Sequence, residues 1–512
     1  MTMKTRLYPA LAAVLFAGAC SPAFAAHEVT NAELLKLIKA QAAEINELKQ
    51  RLSAVEGSHG SAPTVASAPT AGASAGVTAS AASAATAPPV NEESARRQAQ
   101  VDNAIADTRE SEMAVAMARG AGASSGGGAG ARWGRGGEAG PVFRSDDGFF
   151  TFKPDGRLLF DVSRTSGSGF ETRNITGSQI TSARLGGEGT IGALGYHVEA
   201  DFADNEVALR QTYLTYTTQV FGNRTKFYLG NFLKDLGTEG SSESARVPFM
   251  LRNAATAVGQ PVVSYFGMGS QMRMYGNGWH FSLSINGNSP NSSTSGSNTD
   301  STTYLARAHW NPLKGADGFV HLGSWYYYEK ISDGVTSINN TPAIAADYND
   351  NLAVSASSIA NPTQDHGKGF ELGGVYRNFW MMNEYGKRTI DSSTADSVSR
   401  HGSSFAAGWM ITGEAPGFSS TSGSWKAVKV TNPVTSGGWG AFEVAGRVDH
   451  YDYADAPRGG KGKSYTLGVN WYLNDWSRLM MNWVHWNTDN KVGSFQGPDA
   501  GNTVSMRAQV VF

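Results

Sequence analysis

The last nine residues of the chain alternate apolar and polar positions. Val504, Met506, Ala508, Val510 and Phe512 share one face, and Ser505, Arg507 and Gln509 share the other, with Val511 the apolar exception. Period two predicts a β-strand with one oily face and one wet face. The same pattern recurs upstream. Leu158, Phe160 and Val162 oppose Arg157 and Asp161, while Tyr196, Val198, Ala200 and Phe202 oppose His197, Glu199 and Asp201. Trp279, Phe281, Leu283 and Ile285 oppose His280, Ser282, Ser284 and Asn286. Phe442, Val444 and Val448 oppose Glu443, Arg447 and Asp449. Tight turns at 192–195 and 474–477 alternate with long polar loops at 287–302 and 332–368. A membrane barrel calls for that asymmetry and a soluble sandwich does not. The predicted class is therefore all-β, a transmembrane antiparallel β-barrel with its apolar faces in lipid and its polar faces lining a lumen. Phe512, the aromatic closing the last strand, is the candidate signal for membrane assembly.

Tryptophan placement fits this class. Trp310, Trp325, Trp380, Trp409, Trp471 and Trp486 fall near predicted strand ends, where indole rings would form girdles at headgroup level. No mature segment has the eighteen or more consecutive apolar residues of a membrane helix.

The first 146 residues follow different rules. Residues 1–25 read as a secretory signal, with Lys4 and Arg6 before a short apolar run and Ala23-Phe24-Ala25 at the cleavage site. Over residues 26–56, Leu34, Gln41, Leu48 and Val55 alternate with Ile38, Ile45 and Leu52 at spacings of four and three, the seam of a short periplasmic coiled coil. Residues 57–146 are rich in Ala, Ser, Gly and Pro and form a linker, with one polar, alanine-rich helix expected over 92–119. The barrel occupies 147–512. Gly 61 against Cys 1 suits an exported strand-and-turn protein, and that one cysteine, Cys20, lies inside the signal as a weak lipoprotein-type acceptor. A net charge of -2 gives no reason to expect nucleic acid as a partner.

Several stretches of the barrel segment resemble one family. They are Ala183 to Gly189, then Gly230-Asn231-Phe232-Leu233-Lys234 running on to Val247-Pro248-Phe249-Met250-Leu251-Arg252. Ile411-Thr412-Gly413-Glu414, Gly440 to Arg447, and Leu467 to Asn474 complete the set in the family's order. From about Phe149 to Phe512 the chain resembles the phosphate-selective porin O/P family of Gram-negative outer membranes. The resemblance implies a sixteen-stranded barrel, a homotrimer in outer-membrane lipid, and a constriction loop folded into the lumen.

No nucleophile motif, metal-ligand spacing or cofactor fingerprint stands out, and no enzyme activity is expected; a barrel hydrolase is the enzyme rival. The candidate pore-lining, anion-binding residues are Arg157, Arg184, Arg307, Arg377 and Arg447 on polar faces, with Lys234, Arg246 and Arg252 on the presumed constriction loop. Such rings offset an anion's lost hydration with charge-assisted hydrogen bonds. Acids share the same faces, so an anion-preferring pore for small solutes, phosphate or polyphosphate among them, stands beside a plain wet wall. A further alternative is a barrel anchor whose coiled coil tethers the membrane to peptidoglycan. Asp at both Ile45 and Leu48 would bury like charges in the heptad seam. Residues 33–55 should then become protease-sensitive while the barrel's oligomeric state is unchanged, which limited proteolysis with gel analysis checks.

Overall fold

A computed structural model describes residues 132–133 and 141–512, except 204–205, 262–263, 292–298 and 340. The expected signal, coiled coil and nearly all of the linker lie outside the described residues. Sixteen antiparallel strands form the barrel. They are β1 (Phe150–Ser166), β2 (Thr176–Ile191), β3 (Leu194–Asp201), β4 (Ala208–Val220), β5 (Asn223–Leu233), β6 (Phe266–Gly276), β7 (Trp279–Asn286) and β8 (Thr302–Trp310). There follow β9 (Gly318–Lys330), β10 (Pro362–Tyr376), β11 (Phe379–Ser392), β12 (Val398–Met410), β13 (Ala441–Asp452), β14 (Lys461–Asn474), β15 (Ser477–Asn490) and β16 (Gly497–Val511). Each pairs with the next, and β16 pairs back onto β1 from Asn502↔Ser166 to Val511↔Arg157. The ring is closed, so no strand edge is left to satisfy in lipid.

The two faces are inverted relative to a soluble protein. Phe160, Val162, Leu185, Val198, Leu214, Phe405 and Leu467 are exposed on the outside. Arg157, Asp161, Glu199, Asp201, Glu371 and Asp449 are buried inside. An apolar surface of that extent is stable only against lipid. On β12 the outward sequence Trp409, Ala407, Phe405, Ser403, His401 passes from aromatic girdle through belt to polar rim. Stacked pairs mark the girdle, with Phe379 and Trp409 rings 5.5 Å apart and Phe442 and Trp471 rings 5.5 Å apart.

The girdle prediction needs correction for three residues. Trp325, Trp380 and Trp486 face inward and are 4%, 3% and 0% exposed. Each packs under a loop that enters the lumen, a role that strand-end position alone does not reveal. Connections also depart from simple alternation. Tight turns (221–222, 277–278, 377–378, 475–476) gather at one end and long loops at the other, but residues 411–440 form a long connection at the turn end.

Phe512 continues β16 by exchanging hydrogen bonds with Gly156, its N–H donating to the Gly156 carbonyl at 2.9 Å and its carbonyl accepting at 3.0 Å. A side chain on Gly156 would collide with the Phe512 ring at 2.8 Å and the Arg184 carbonyl at 2.7 Å. Phe405→Arg, at mid-belt, should destabilise the barrel by about 2–4 kcal/mol, whereas Phe512→Arg at the belt edge should cost only about 0–1 kcal/mol. Urea unfolding in lipid vesicles measures both. Poor assembly of the Phe512 variant beyond that small cost would then reflect recognition during insertion.

Candidate functional site: the lumen and its constriction

Three connections fold inward and divide the lumen into a filled half and an open half. The 234–265 loop leaves β5 and crosses to the far wall. Its base is closed where the Lys234 N–H donates to the Tyr265 carbonyl at 2.9 Å. Inward side chains of β11–β16 then hold its backbone. Glu384 accepts from the Thr238 N–H at 2.6 Å, and Asp449 accepts from the Ala254 N–H at 2.9 Å. Arg478 donates to the carbonyls of Ala245 (2.9 Å) and Val247 (3.1 Å), Asn470 to that of Pro248 (2.9 Å), and Arg447 to that of Leu251 (2.9 Å). A short helix α1 (Ala254–Gly259) is capped by Asn253, whose side-chain oxygen accepts from the Thr256 N–H at 2.8 Å. α1 lies flush on β11 and β12, where Cβ atoms on Gly386 and Gly402 would approach helix carbonyls at 2.5 and 2.4 Å. Only glycine permits that approach.

The 331–361 loop packs over α1. Ile344, Leu352 and Val354 join Ala254, Val258, Tyr451, Val484 and Trp486 in one apolar cluster inside the barrel. Full burial of each such large side chain stabilises the arrangement by roughly 1.5–3 kcal/mol. From the opposite end, the 411–440 connection also enters. Arg307 donates to the carbonyls of Ser422 (3.2 Å) and Gly423 (2.6 Å) while forming a fork with Glu371 at 2.8 and 2.7 Å. Its Trp425 meets Trp380 with ring centroids 4.7 Å apart, and the Trp425 N–H donates to Ser242 Oγ at 2.7 Å. Loops from opposite ends therefore share a core with Phe249, Trp380 and Phe418.

Water reaches the remaining side. Inward residues Arg210, Gln211, Tyr213, Lys226, Tyr228, Arg273 and Tyr275 on β4–β6 stay partly exposed, whereas Glu371, Glu384, Arg388 and Asp449 across the barrel are buried. Where the 234–265 loop faces β1–β4, Arg184 pairs with Glu199 (2.9 Å) and Asp201 (3.0 Å), and Arg157 Nε donates to Ser182 (2.9 Å). Arg210 Nε lies 3.5 Å from Asp201. The loop contributes Arg246, Arg252 and Glu243, and Gln211 of β4 donates to Glu243 at 3.3 Å. Burial alone would raise the Glu243 carboxyl, but the guanidiniums of Arg246, Arg157 and Arg184 hold it at about 2. Arg252 donates to the Ser242 carbonyl at 2.7 Å and lies over the Tyr265 ring at 4.9 Å. Arg157, Arg184, Arg210, Arg246 and Arg252 thus face Glu199, Asp201 and Glu243, and positive charge is in excess. Below them Arg273, Lys226 and Arg224 continue the basic track, lying 5.1, 5.2 and 4.3 Å over tyrosine rings.

The predicted site residues therefore separate. Arg157, Arg184, Arg246 and Arg252 come together. Arg307 and Arg447 are inward but spend their donors on loop carbonyls and on Glu371, Asp235 and Asp449. Lys234 is 2% exposed and donates to the Ser264 carbonyl at 2.9 Å, and burial lowers its ammonium to about 8 against the pull of Glu329 and Asp365. Arg377 is off the lumen wall altogether. It occupies the tight β10–β11 turn at φ 55, half exposed and 3.4 Å from Asp317, because two residues must reverse the chain there. Arg210 escaped the sequence pattern because a bulge lies opposite Val198 and Ala200. Leu209 and Leu214 both face lipid although five residues apart, which breaks period two across Arg210.

Residues 152–512 match the family model for phosphate-selective porin O and P. The chain belongs to this family. Porin O of Pseudomonas aeruginosa is 25% identical over 405 residues, covering 71% of this chain and 89% of that protein. An uncharacterized Caulobacter vibrioides protein is 24% identical over 361 residues, 67% of this chain and 69% of its own length. Among solved structures, the anion-selective porin from Comamonas acidovorans aligns at TM-score 0.43 and 11% identity, covering 71% of this chain and 100% of that one. The porin is an outer-membrane β-barrel channel, which makes the tight-turn end periplasmic and the long-loop end extracellular. Removing both Arg447 and Arg478 donors strips charge-assisted hydrogen bonds worth about 1.5–3 kcal/mol each from the constriction loop. The Arg447→Ala, Arg478→Ala variant should show larger, noisier single-channel conductance and new protease cleavage within 234–265.

Proposed function

We propose that the porin conducts small anions along the β4–β6 wall, past a constriction built from Arg157, Arg184, Arg210, Arg246 and Arg252. The observation that carries this reading is the excess of guanidiniums over carboxylates where 234–265 approaches β1–β4. An anion there sheds part of its water and is met by fixed donors in a confined, poorly screened space. Guanidiniums from two sides suit a tetrahedral oxyanion, so phosphate or polyphosphate is the proposed preferred solute. The family's name supports that choice.

A homotrimer would bring three copies of the heptad segment together below the membrane and stabilise a coiled coil too short to persist alone. Peptidoglycan contact by that segment remains the second reading. A plugged anchor would give no steady current in a planar bilayer, and an open pore would.

Neutralising Arg246 and Arg252 to Gln should lower the anion-to-cation permeability ratio several-fold, read as reversal potential in a salt gradient. Lys234→Gln, whose ammonium is buried beneath the loop, should change it little. Phosphate should block chloride current in the unmodified channel and fail to do so in the double variant. An unchanged reversal potential in the double variant would refute the constriction assignment.

A further inference from the structure

One feature outside the lumen stands apart from the channel. Cross-strand partners share a face, so the register Lys368↔Lys387↔His401↔Asp452↔Lys461 places these five side chains in one outward row across β10–β14. The adjoining row brings His450 opposite Lys463. Both rows lie at the extracellular end of the apolar belt, two residues beyond Phe370 and Tyr385 on the first row and directly beside them on the second. From Trp409 to His401 the strand covers eight steps, about 27 Å along its axis. A tilt of about 40° reduces that to about 21 Å along the membrane normal, against an apolar belt of roughly 25 Å. The rows therefore sit at the outer edge of the belt, from which lysine stems reach the headgroups.

Positive charge is in excess. Lys368, Lys387, Lys461 and Lys463 share these rows with Asp452, which Lys461 holds at 2.9 Å, and with Asp489, which lies opposite Lys461 and is held by Lys491 at 2.7 Å. Lys368, Lys387 and Lys463 have no ion-pair partner among the described residues. His401 and Asp452 lie 3.7 Å apart, and with His450 they form a three-ligand set of the kind that takes a metal ion. Lys461 on that carboxylate and Lys463 beside His450 oppose a cation there and favour an anion. The surface is also concave. A groove of about 590 Å³ runs beside the rows, lined by His450, Lys461, Lys463 and Asn487 and by Asp489 and Asp499, whose carboxylates are already paired with Lys491 and Arg173 at 2.7 and 2.8 Å.

We propose that this patch is a docking site for the phosphate of an outer-leaflet lipid headgroup. Lysine stems would lie along the belt while their ammonium groups reach the phosphate, and His401 and His450 would donate from below. A lipid so placed would be retained by charge in addition to its acyl chains, unlike the exchangeable lipid around the rest of the belt.

The test uses the full-length porin purified in neutral detergent and titrated with diphosphoryl lipid A, with the dephosphorylated form as control, followed by native mass spectrometry. The unmodified porin should bind the diphosphoryl form at least tenfold more tightly than the control. Lys387→Gln, Lys461→Gln, Lys463→Gln should erase that difference, the three Lys→Arg changes should restore it, and both variants should keep heat-modifiable mobility as proof of folding. Millimolar inorganic phosphate should leave lipid binding intact. Equal binding of the two lipid forms by the unmodified porin overturns the proposal. So does loss of oligomeric state in the Gln variant with lipid binding unchanged, which would assign the patch to a protein contact. Stoichiometric Zn²⁺ binding abolished by His401→Ala, again without effect on lipid, would assign it to a cation and overturn it equally.

Discussion

Closure of β16 onto β1 is the constraint on which everything else rests. A strand in hydrocarbon cannot leave an N–H or C=O unpaired without losing several kcal/mol, so a sheet in lipid must have no edge. The pairing of Asn502–Val511 with Ser166–Arg157 removes that edge and, with it, fixes which face of every strand is inside. Once the ring exists, period two sorts the side chains. Phe160 and Met506 go to lipid, while Asp161 and Arg507 meet inside the wall at 2.7 Å.

Inside the ring a second problem arises, because polar wall residues facing one another need partners or water. The chain solves it differently on its two sides. Towards β9–β16 the wall charges are used on loop backbone, as with Glu384, Asp449, Arg447 and Arg478, and the remaining volume is filled with apolar side chains such as Leu352, Val354 and Trp425. Towards β4–β6 they are left to water and tyrosine faces. A large barrel thereby becomes a narrow, lopsided passage, and its selectivity rests on the few groups that the loops leave uncovered.

Most of the wall was legible in the sequence, since alternation reports directly on a pleated strand between lipid and lumen. Arg157, Arg184, Arg246 and Arg252 were legible for the same reason or through the family's loop motif. What period two cannot report is whether an inward charge meets solvent or another part of the chain. That is why Arg307 and Arg447 appeared as pore residues and Trp325, Trp380 and Trp486 as girdle residues. Arg210 was hidden by a bulge and Glu243 by loop sequence that has no period. The 411–440 connection has no period either, so nothing in it indicated that it would enter the lumen or where its tryptophan would lodge.

The meeting of Trp425 with Ser242 has a mechanical consequence. One loop is rooted at β5 and fastened to the far wall; the other is rooted at β12 and fastened to Arg307, and the two are joined at mid-lumen. They act as crossed struts. A hollow hydrogen-bonded cylinder flattens readily under lateral pressure, whereas this one must compress a packed aromatic joint before its cross-section can change. The aperture beside β4–β6 is thereby insulated from the tension of the membrane around it.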